Sequence, residues 1–301
     1  MERIVVTGLD GSAESRAAAE WAAREAQLRD LPLKLVHVWE PVPEPMAQAP
    51  LLGAETMQHW SERIPRDAVD GLRLRHPGLQ VSAEQVPGGP AEVLTRVAGD
   101  AELLVLGSRG LSGVGGFMVG SVGLSVVAHA ERPVVLVRAG EQAADEHEPD
   151  PAGIPSAATA YRPVVLGLDV DSADEALLQF AFEAAAVRGT TLRVVHGWSP
   201  SPYEVYSLSV SPETQQLLAG QRAVALAAAL EPWRAKYPNV EVVEEAVVGV
   251  PAHHLVDASR TASLVVVGRR IKRRRFGARI GAVAHAVLHH AAAPVAVVAH
   301  H

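Results

Sequence analysis

The feature that most constrains this chain is a repeat. The opening stretch IVVTGLDGSAES returns near the middle as VVLGLDVDSADE. Asp10 falls on Asp169, and His37 of LKLVHVWEP falls on His196 of LRVVHGWSP, both 159 residues on. Pro77, Gly88, Gly107 and Pro133 fall on Pro238, Gly249, Gly268 and Pro294, all 161 residues on. Two extra residues therefore entered the second copy between Trp198 and Tyr237. A near-constant offset over so many positions marks a duplicated domain of about 140 residues. The boundaries follow as 1–138 and 163–301. Residues 139–162 between them are rich in Pro, Ala and acids and lack a hydrophobic period, which is linker composition. Pro41 to Pro50 is a shorter irregular loop within the first copy.

Within one copy, short apolar runs alternate with helical stretches. Ile4 to Leu9, Leu33 to Trp39, Leu79 to Val86, Leu103 to Leu106 and Val134 to Val137 read as strands. Ser12 to Leu28 reads as an Ala-rich helix capped by Ser12 or Ser15. Glu55 to Leu74 reads as a helix with a kink or break at Pro65. Ala91 to Ala98, with Pro90 just ahead, and Gly120 to Ala130 complete the set. Strands alternating with helices predict an α/β fold with a parallel sheet in each copy.

Composition removes several function classes. The chain of 301 residues has no cysteine, so it has neither a disulfide nor a thiolate nucleophile, and a reducing, cytoplasmic setting is expected. The N-terminus reads as strand and turn, not signal peptide, and no apolar stretch approaches the roughly 20 residues that cross a bilayer. A net charge of −7 speaks against nucleic acid as a partner.

The chemistry concentrates after the fourth strand. Gly107-Ser108-Arg109-Gly110 is followed by LSGVGGFMV and then Gly120-Ser121 at a helix start. Glycines let backbone N–H groups approach a ligand with no Cβ between, and the helix N-terminus adds unpaired N–H groups and a positive dipole end. Together they read as a phosphate cradle, with Ser121 adding a hydroxyl. A plain structural turn is the competing reading of the same glycines.

This G-x2-G-x9-G-S pattern, with the opening VVTGLDGSAES and the ending GSVGLSVVAHAERPVVLVR, resembles the universal stress protein family, in its tandem-domain form. The resemblance implies two doubly wound parallel five-stranded sheets of order 3-2-1-4-5, the adenine nucleotide alpha hydrolase-like fold, with ligands at the strands' carboxyl ends. It further implies an adenine nucleotide, ATP or a relative, with Mg²⁺ as a possible companion. In that reading Gly8 and Asp10 meet the adenosine portion and Val38 holds the adenine edge through its backbone. Gly107, Arg109 and Gly110 flank ribose and phosphate, while Gly120, Ser121, Val122 and Gly123 bind phosphates. The family usually has Ser or Thr where Gly123 stands, so one hydroxyl is lost. The resemblance also implies edge pairing through Val134 to Val137 and Val295 to Val298, within one chain or in a homodimer.

The second copy keeps Gly167, Asp169, Gly268, Gly281 and Val283 but departs elsewhere. Ile271 replaces the second glycine, Ala282 replaces the serine and Gly197 stands for Val38. A β-branched side chain at 271 restricts the backbone and adds bulk. Arg269, Arg270, Lys272, Arg273, Arg274, Arg275 and Arg279 load its loop with charge, read as a solvated loop, as an anion site, or as a partner of the linker acids. This copy is expected to bind nucleotide more weakly, or another anion.

No catalytic set assembles. The loop lacks a Walker lysine, and there is no Gly-x-Ser-x-Gly elbow. Asp10 is read as a helix cap, a ligand contact or both. His37 and His196 read as packed or hydrogen-bonded residues, and Trp39 and Trp198 as packing. The adjacent pairs His253-His254, His289-His290 and His300-His301 point apart and make poor metal chelates. The expectation is a nucleotide-binding stress-response regulator or sensor with at most slow ATP hydrolysis. The alternative is an interaction scaffold with vestigial sites.

Overall fold

The computed structural model describes residues 3–39, 54–108, 120–198, 212–271 and 280–301. The chain divides into two compact units, Met1–Gln142 and Ala143–His301. In the first unit β1 (Val5–Gly8), β2 (Leu33–Trp39), β3 (Val81–Pro87), β4 (Leu103–Ser108) and β5 (Val134–Arg138) alternate with four helices. These are α1 (Ala13–Leu28), α2 (Ala54–Arg75), α3 (Pro90–Ala98) and α4 (Ser121–His129). The strand order is β3-β2-β1-β4-β5, and the neighbours run parallel.

The second unit repeats this plan. Its strands are β6 (Val164–Gly167), β7 (Leu192–Trp198), β8 (Val242–Val248), β9 (Leu264–Arg270) and β10 (Val295–His300). Its helices are α5 (Glu175–Arg188), α6 (Pro212–Lys236), α7 (Pro251–Ala258) and α8 (Ala282–His290). The order β8-β7-β6-β9-β10 is again parallel throughout. In both units β1 and β4, or β6 and β9, are the neighbours whose connections leave in opposite directions, which opens a crevice at their carboxyl ends.

Local chemistry accounts for the elements. The central strands are uninterrupted apolar runs buried on both faces, as parallel sheets require: Leu103, Leu104 and Val105 in β4 and Leu264, Val265 and Val266 in β9 are all fully buried. Helix α1 presents Ala18, Ala19, Ala22, Ala23 and Ala26 to the core. Such small residues let it lie close to the sheet. Helix α5 offers Leu177, Leu178, Phe180 and Phe182 instead and needs more room. Helix α2 runs through Pro65 without a break in its assignment. Proline's missing N–H costs one helical bond, and the rest of the helix carries the turn.

The stretch of linker composition is ordered where it enters the second unit. Ala143–Glu146 forms a 3₁₀ turn, and His147 bridges Tyr161 in antiparallel fashion. Their rings lie 4.0 Å apart, the Arg188 guanidinium sits over Tyr161, and Thr190 donates to the Tyr161 carbonyl. Proline and acid content describes how such a stretch samples conformations when free; here the Glu148 N–H donates to the Ala160 carbonyl and the Arg162 N–H to that of Glu146, and these bonds with the histidine–tyrosine contact give it a place. The basic run from Lys272 to Arg279 lies outside the described residues.

Candidate functional site

The first-half site is built on a step in the sheet. Strand β1 pairs with β2 only as far as Gly8 opposite Val36, and the Leu9 N–H closes the ladder on the Val36 carbonyl at 2.9 Å. Strand β2 continues to Trp39, whose carbonyl accepts from Gly88 N–H on the β3 side. In a strand, successive residues turn their N–H and C=O to opposite sides. Val38 therefore directs both groups toward β1, past the point where β1's ladder has ended. A backbone donor and acceptor are left at the crevice wall.

Asp10 stands beside that edge. Its Oδ1 accepts from the Ser12 N–H at 3.0 Å, and its own N–H donates to Ser15 Oγ at 3.3 Å. The cap of α1 is Ser12, which accepts from the Ser15 N–H at 3.1 Å. Asp10 thus shapes the turn before the helix and is not the cap itself. Gly11 between them has φ +81°, a backbone that needs glycine. Partial burial pushes the Asp10 carboxyl up, but hydrogen bonds from Ser12 and then Ser15 outweigh it and hold it below its ordinary value. It is an anion at the mouth of the crevice.

The histidine after each second central position has a structural job. His37 Nδ1 lies 2.7 Å from the Leu9 carbonyl, and His196 Nδ1 lies 3.0 Å from that of Leu168. A carbonyl only accepts, so both rings carry hydrogen on Nδ1 and tie the first strand's exit to the second strand.

Two glycines of the motif separate in meaning. A Cβ on Gly107 would stand 2.5 Å from the Glu14 carbonyl carbon and 2.7 Å from Ser15 N, so this glycine lets α1 pack on β4. Ligand access is not what demands it, contrary to the reason drawn from the pattern. Gly8 likewise faces Leu106 and Leu94 side chains. Gly120 is different. Its φ of −61° and ψ of 154° suit any residue, and among the described residues nothing lies within 4 Å of where a Cβ would be. As the N-cap of α4 it offers no side chain, so the first-turn N–H groups of Ser121, Val122 and Gly123 receive no side-chain cap from it. Arg109 and Gly110 lie outside the described residues.

In the second half a cavity of about 750 Å³ occupies the corresponding crevice. That is within the size range of small-molecule sites. Gly167, Asp169, Gly197, Gly268, Gly281 and Val283 all line it. Ala282, the residue in place of the motif serine, is the first residue of α8 and is exposed. Gly197 is forced by packing, since a Cβ there would stand 2.6 Å from Pro251 Cα. It still turns its N–H and C=O toward β6, as Val38 does toward β1. Asp169 accepts from the Asp171 N–H and the Ser172 hydroxyl, repeating the Asp10 turn. Gly281 repeats Gly120, with an extended backbone and, among the described residues, nothing within 4 Å of where a Cβ would be.

Of three further cavity residues, Arg222 escaped the sequence reading, and Arg270 and His300 entered it only within the basic run and a histidine pair. Arg222 of α6 pairs with Asp171 at 3.1 Å and lies over the Trp198 ring at 5.7 Å. Arg270 and His300 end β9 and β10 at the same level, paired in register. Position at a strand's carboxyl end was the available signal for the last two; nothing local points to Arg222. Among the described residues no three His, Asp or Glu side chains gather as a metal-ligand set, and no helix is long and apolar enough to cross a membrane.

Comparison with known proteins gives the geometry its context. The model of the universal stress protein family matches residues 1–138 and again 160–299. The chain belongs to the universal stress protein family. Universal stress protein Rv2005c of Mycobacterium tuberculosis is 34% identical over 97% of this chain and 96% of its own length. A universal stress protein of Mycolicibacterium smegmatis is 32% identical over 98% and 96%. The crystal structure of a universal stress protein from Archaeoglobus fulgidus shares the fold at a TM-score of 0.70, with 15% identity and 98% of both chains covered. The tandem arrangement of two universal stress protein domains thus spans nearly the whole chain.

Proposed function

We propose that this universal stress protein works by binding an adenine nucleotide, ATP or a relative, in the crevice of its first domain, and that it acts as a stress-response sensor or regulator instead of a dedicated catalyst. The observation that carries the reading is Gly120. Its backbone does not require glycine, no described residue lies where a side chain would go, and helix amides without a side-chain cap lie directly behind it. A residue kept bare without a packing reason is what an anion-binding helix start needs. The roles follow from position. Val38 offers its free backbone pair to a base edge, Asp10 and Gly8 lie beside the nucleoside, and Ser121, Val122 and Gly123 supply amides to phosphate. Arg109 and Gly110 extend the same cradle in this reading. Any Mg²⁺ arrives with the phosphates.

The second crevice, around Gly167, Asp169, Gly197, Gly268, Gly281, Ala282 and Val283, is a further nucleotide pocket with a weaker hold on phosphate. It lacks the serine hydroxyl and carries Ile271 where a glycine would open the loop.

Calorimetric titration of the full chain with ATP tests the reading. Gly120→Asn is the decisive variant. Asparagine is at least as good an N-cap as glycine, so the helix stands, while its side chain enters the cradle. The first-site affinity is expected to fall at least about tenfold, the loss of one or more charge-assisted hydrogen bonds. Unchanged ATP affinity in the folded variant refutes the proposed site.

A further inference from the structure

We infer that His300 is a specificity residue of the second crevice, accepting a hydrogen bond from a ribose hydroxyl at Nε2. The inference rests on the reading of that crevice as a nucleotide pocket and adds which part of the nucleotide this chain grips there with a side chain.

The starting point is where the first helix of each domain begins. Helix α1 starts at Ala13, three residues after Asp10; α5 starts at Glu175, six residues after Asp169. The intervening Val170–Ser172 forms a 3₁₀ turn, and Asp174 caps α5 through the Ala176 N–H. In the first domain the backbone of Glu14 and Ser15 covers Gly107. In the second, the late start of α5 leaves the matching face of Gly268 uncovered by backbone. The His300 ring takes that space. Its Nε2 stands 2.6 Å, and its Cδ2 2.9 Å, from where a Cβ on Gly268 would be, with Leu177 behind at 3.2 Å.

The ring is held for a purpose that the protein itself does not use. His300 is only 8% exposed and lines the cavity. Its Nδ1 lies 3.3 Å from the His301 carbonyl and 4.0 Å from the Asp174 carboxylate, two acceptors, so hydrogen sits on Nδ1. Nε2 then carries a lone pair and has no hydrogen-bond partner among the described residues. An acceptor left open on a cavity wall suits a ligand that brings a donor. Of the parts of a nucleotide, the ribose hydroxyls are neutral donors, whereas ionised phosphate oxygens only accept. Gly268, over which the ring lies, is the counterpart of the residue expected to flank ribose. The same bond supplies selectivity, because a ligand lacking the hydroxyl forgoes it.

The test uses the full chain carrying Gly120→Asn, to silence the first crevice, titrated at pH 8 with ATP, 2′-deoxy-ATP and 3′-deoxy-ATP. One deoxy form is expected to bind about tenfold or more weakly than ATP. His300→Leu is expected to abolish that preference, and His300→Gln, which keeps an acceptor, to restore part of it. A preference for ATP over the deoxy form as large in the His300→Leu protein as in its parent overturns the inference and leaves the nucleotide reading standing. Absence of ATP binding in the Gly120→Asn parent removes the second nucleotide pocket, and the inference with it. Amide exchange of α5 and β10 in each variant shows that the domain remains folded.

Discussion

Adding one methyl group to Gly107 should be among the most damaging small changes in the first domain. The Cβ would meet the Glu14 carbonyl carbon at 2.5 Å, its oxygen at 2.6 Å and Ser15 N at 2.7 Å. All three are backbone atoms of the first turn of α1, and they have no rotamer to escape into. Ordinary contact begins near 3.4 Å, so α1 must retreat by about 0.9 Å from β4. That retreat loosens a layer of fully or nearly fully buried alanines together with Trp21, which is 1% exposed. Overpacking of this kind costs about 1–3 kcal/mol, and contact with rigid backbone puts it at the upper end. Gly107→Ala is therefore expected to lower the protection free energy of α1 and β1 amides by roughly 3 kcal/mol. Hydrogen exchange read by mass spectrometry measures this segment by segment, with α5 and β6 as internal controls. Two comparisons sharpen it. The nearest atoms to a Cβ in Gly268→Ala are side-chain atoms of His300 and Leu177, so it should cost less than about 1 kcal/mol while displacing the His300 ring. Gly120→Asn should leave exchange in α4 unchanged. A Gly107→Ala loss under about 0.5 kcal/mol, or one no larger than that of Gly268→Ala, would refute the packing argument.

Other expectations follow from single contacts. Glu25 and Arg29 form an ion pair one turn apart with side chains only 1% and 5% exposed. Glu25→Leu should cost about 3–5 kcal/mol in urea denaturation because Arg29 keeps its buried charge, and adding Arg29→Met should recover much of the loss. Ser12→Ala should remove the α1 cap and about 1 kcal/mol, seen as faster exchange in the first turn. Glu20 is pushed up by burial but held below its ordinary 4.5 by hydrogen bonds from His76 and Arg75. Its contribution is complete above that value and fades as pH falls through the lower folded one. The wild-type first domain should therefore lose stability more steeply than Glu20→Gln between about pH 5 and about pH 3. Parallel slopes would show that Glu20 contributes nothing to acid sensitivity.

Much of the site's frame was legible in the chain. The repeat, the β-branched runs and the Gly and Ser punctuation are local signals, and they located Asp10, Val38 and Gly120 at strand and helix ends. The reasons for particular residues were less accessible. Gly107 looked like a ligand-facing glycine, yet its requirement comes from Glu14, far away in sequence. Gly197 looked like a departure from Val38, yet Pro251 forbids anything larger there. His300 looked like half of a poor chelating pair.

Sequence by itself determined the kind of object this is: two copies of an alternating α/β unit whose strands are buried on both faces. Hydrophobic period, turn chemistry and duplication are written in neighbouring residues and need no third dimension. Tertiary structure decided what fills the crevice of each copy. How closely a helix approaches the sheet depends on the bulk it turns inward, alanines in α1 and leucine and phenylalanine in α5. That spacing, together with the residue at which each helix starts, chooses between helix backbone and an imidazole over the same glycine. Such a choice is made between segments that meet only after the chain has folded.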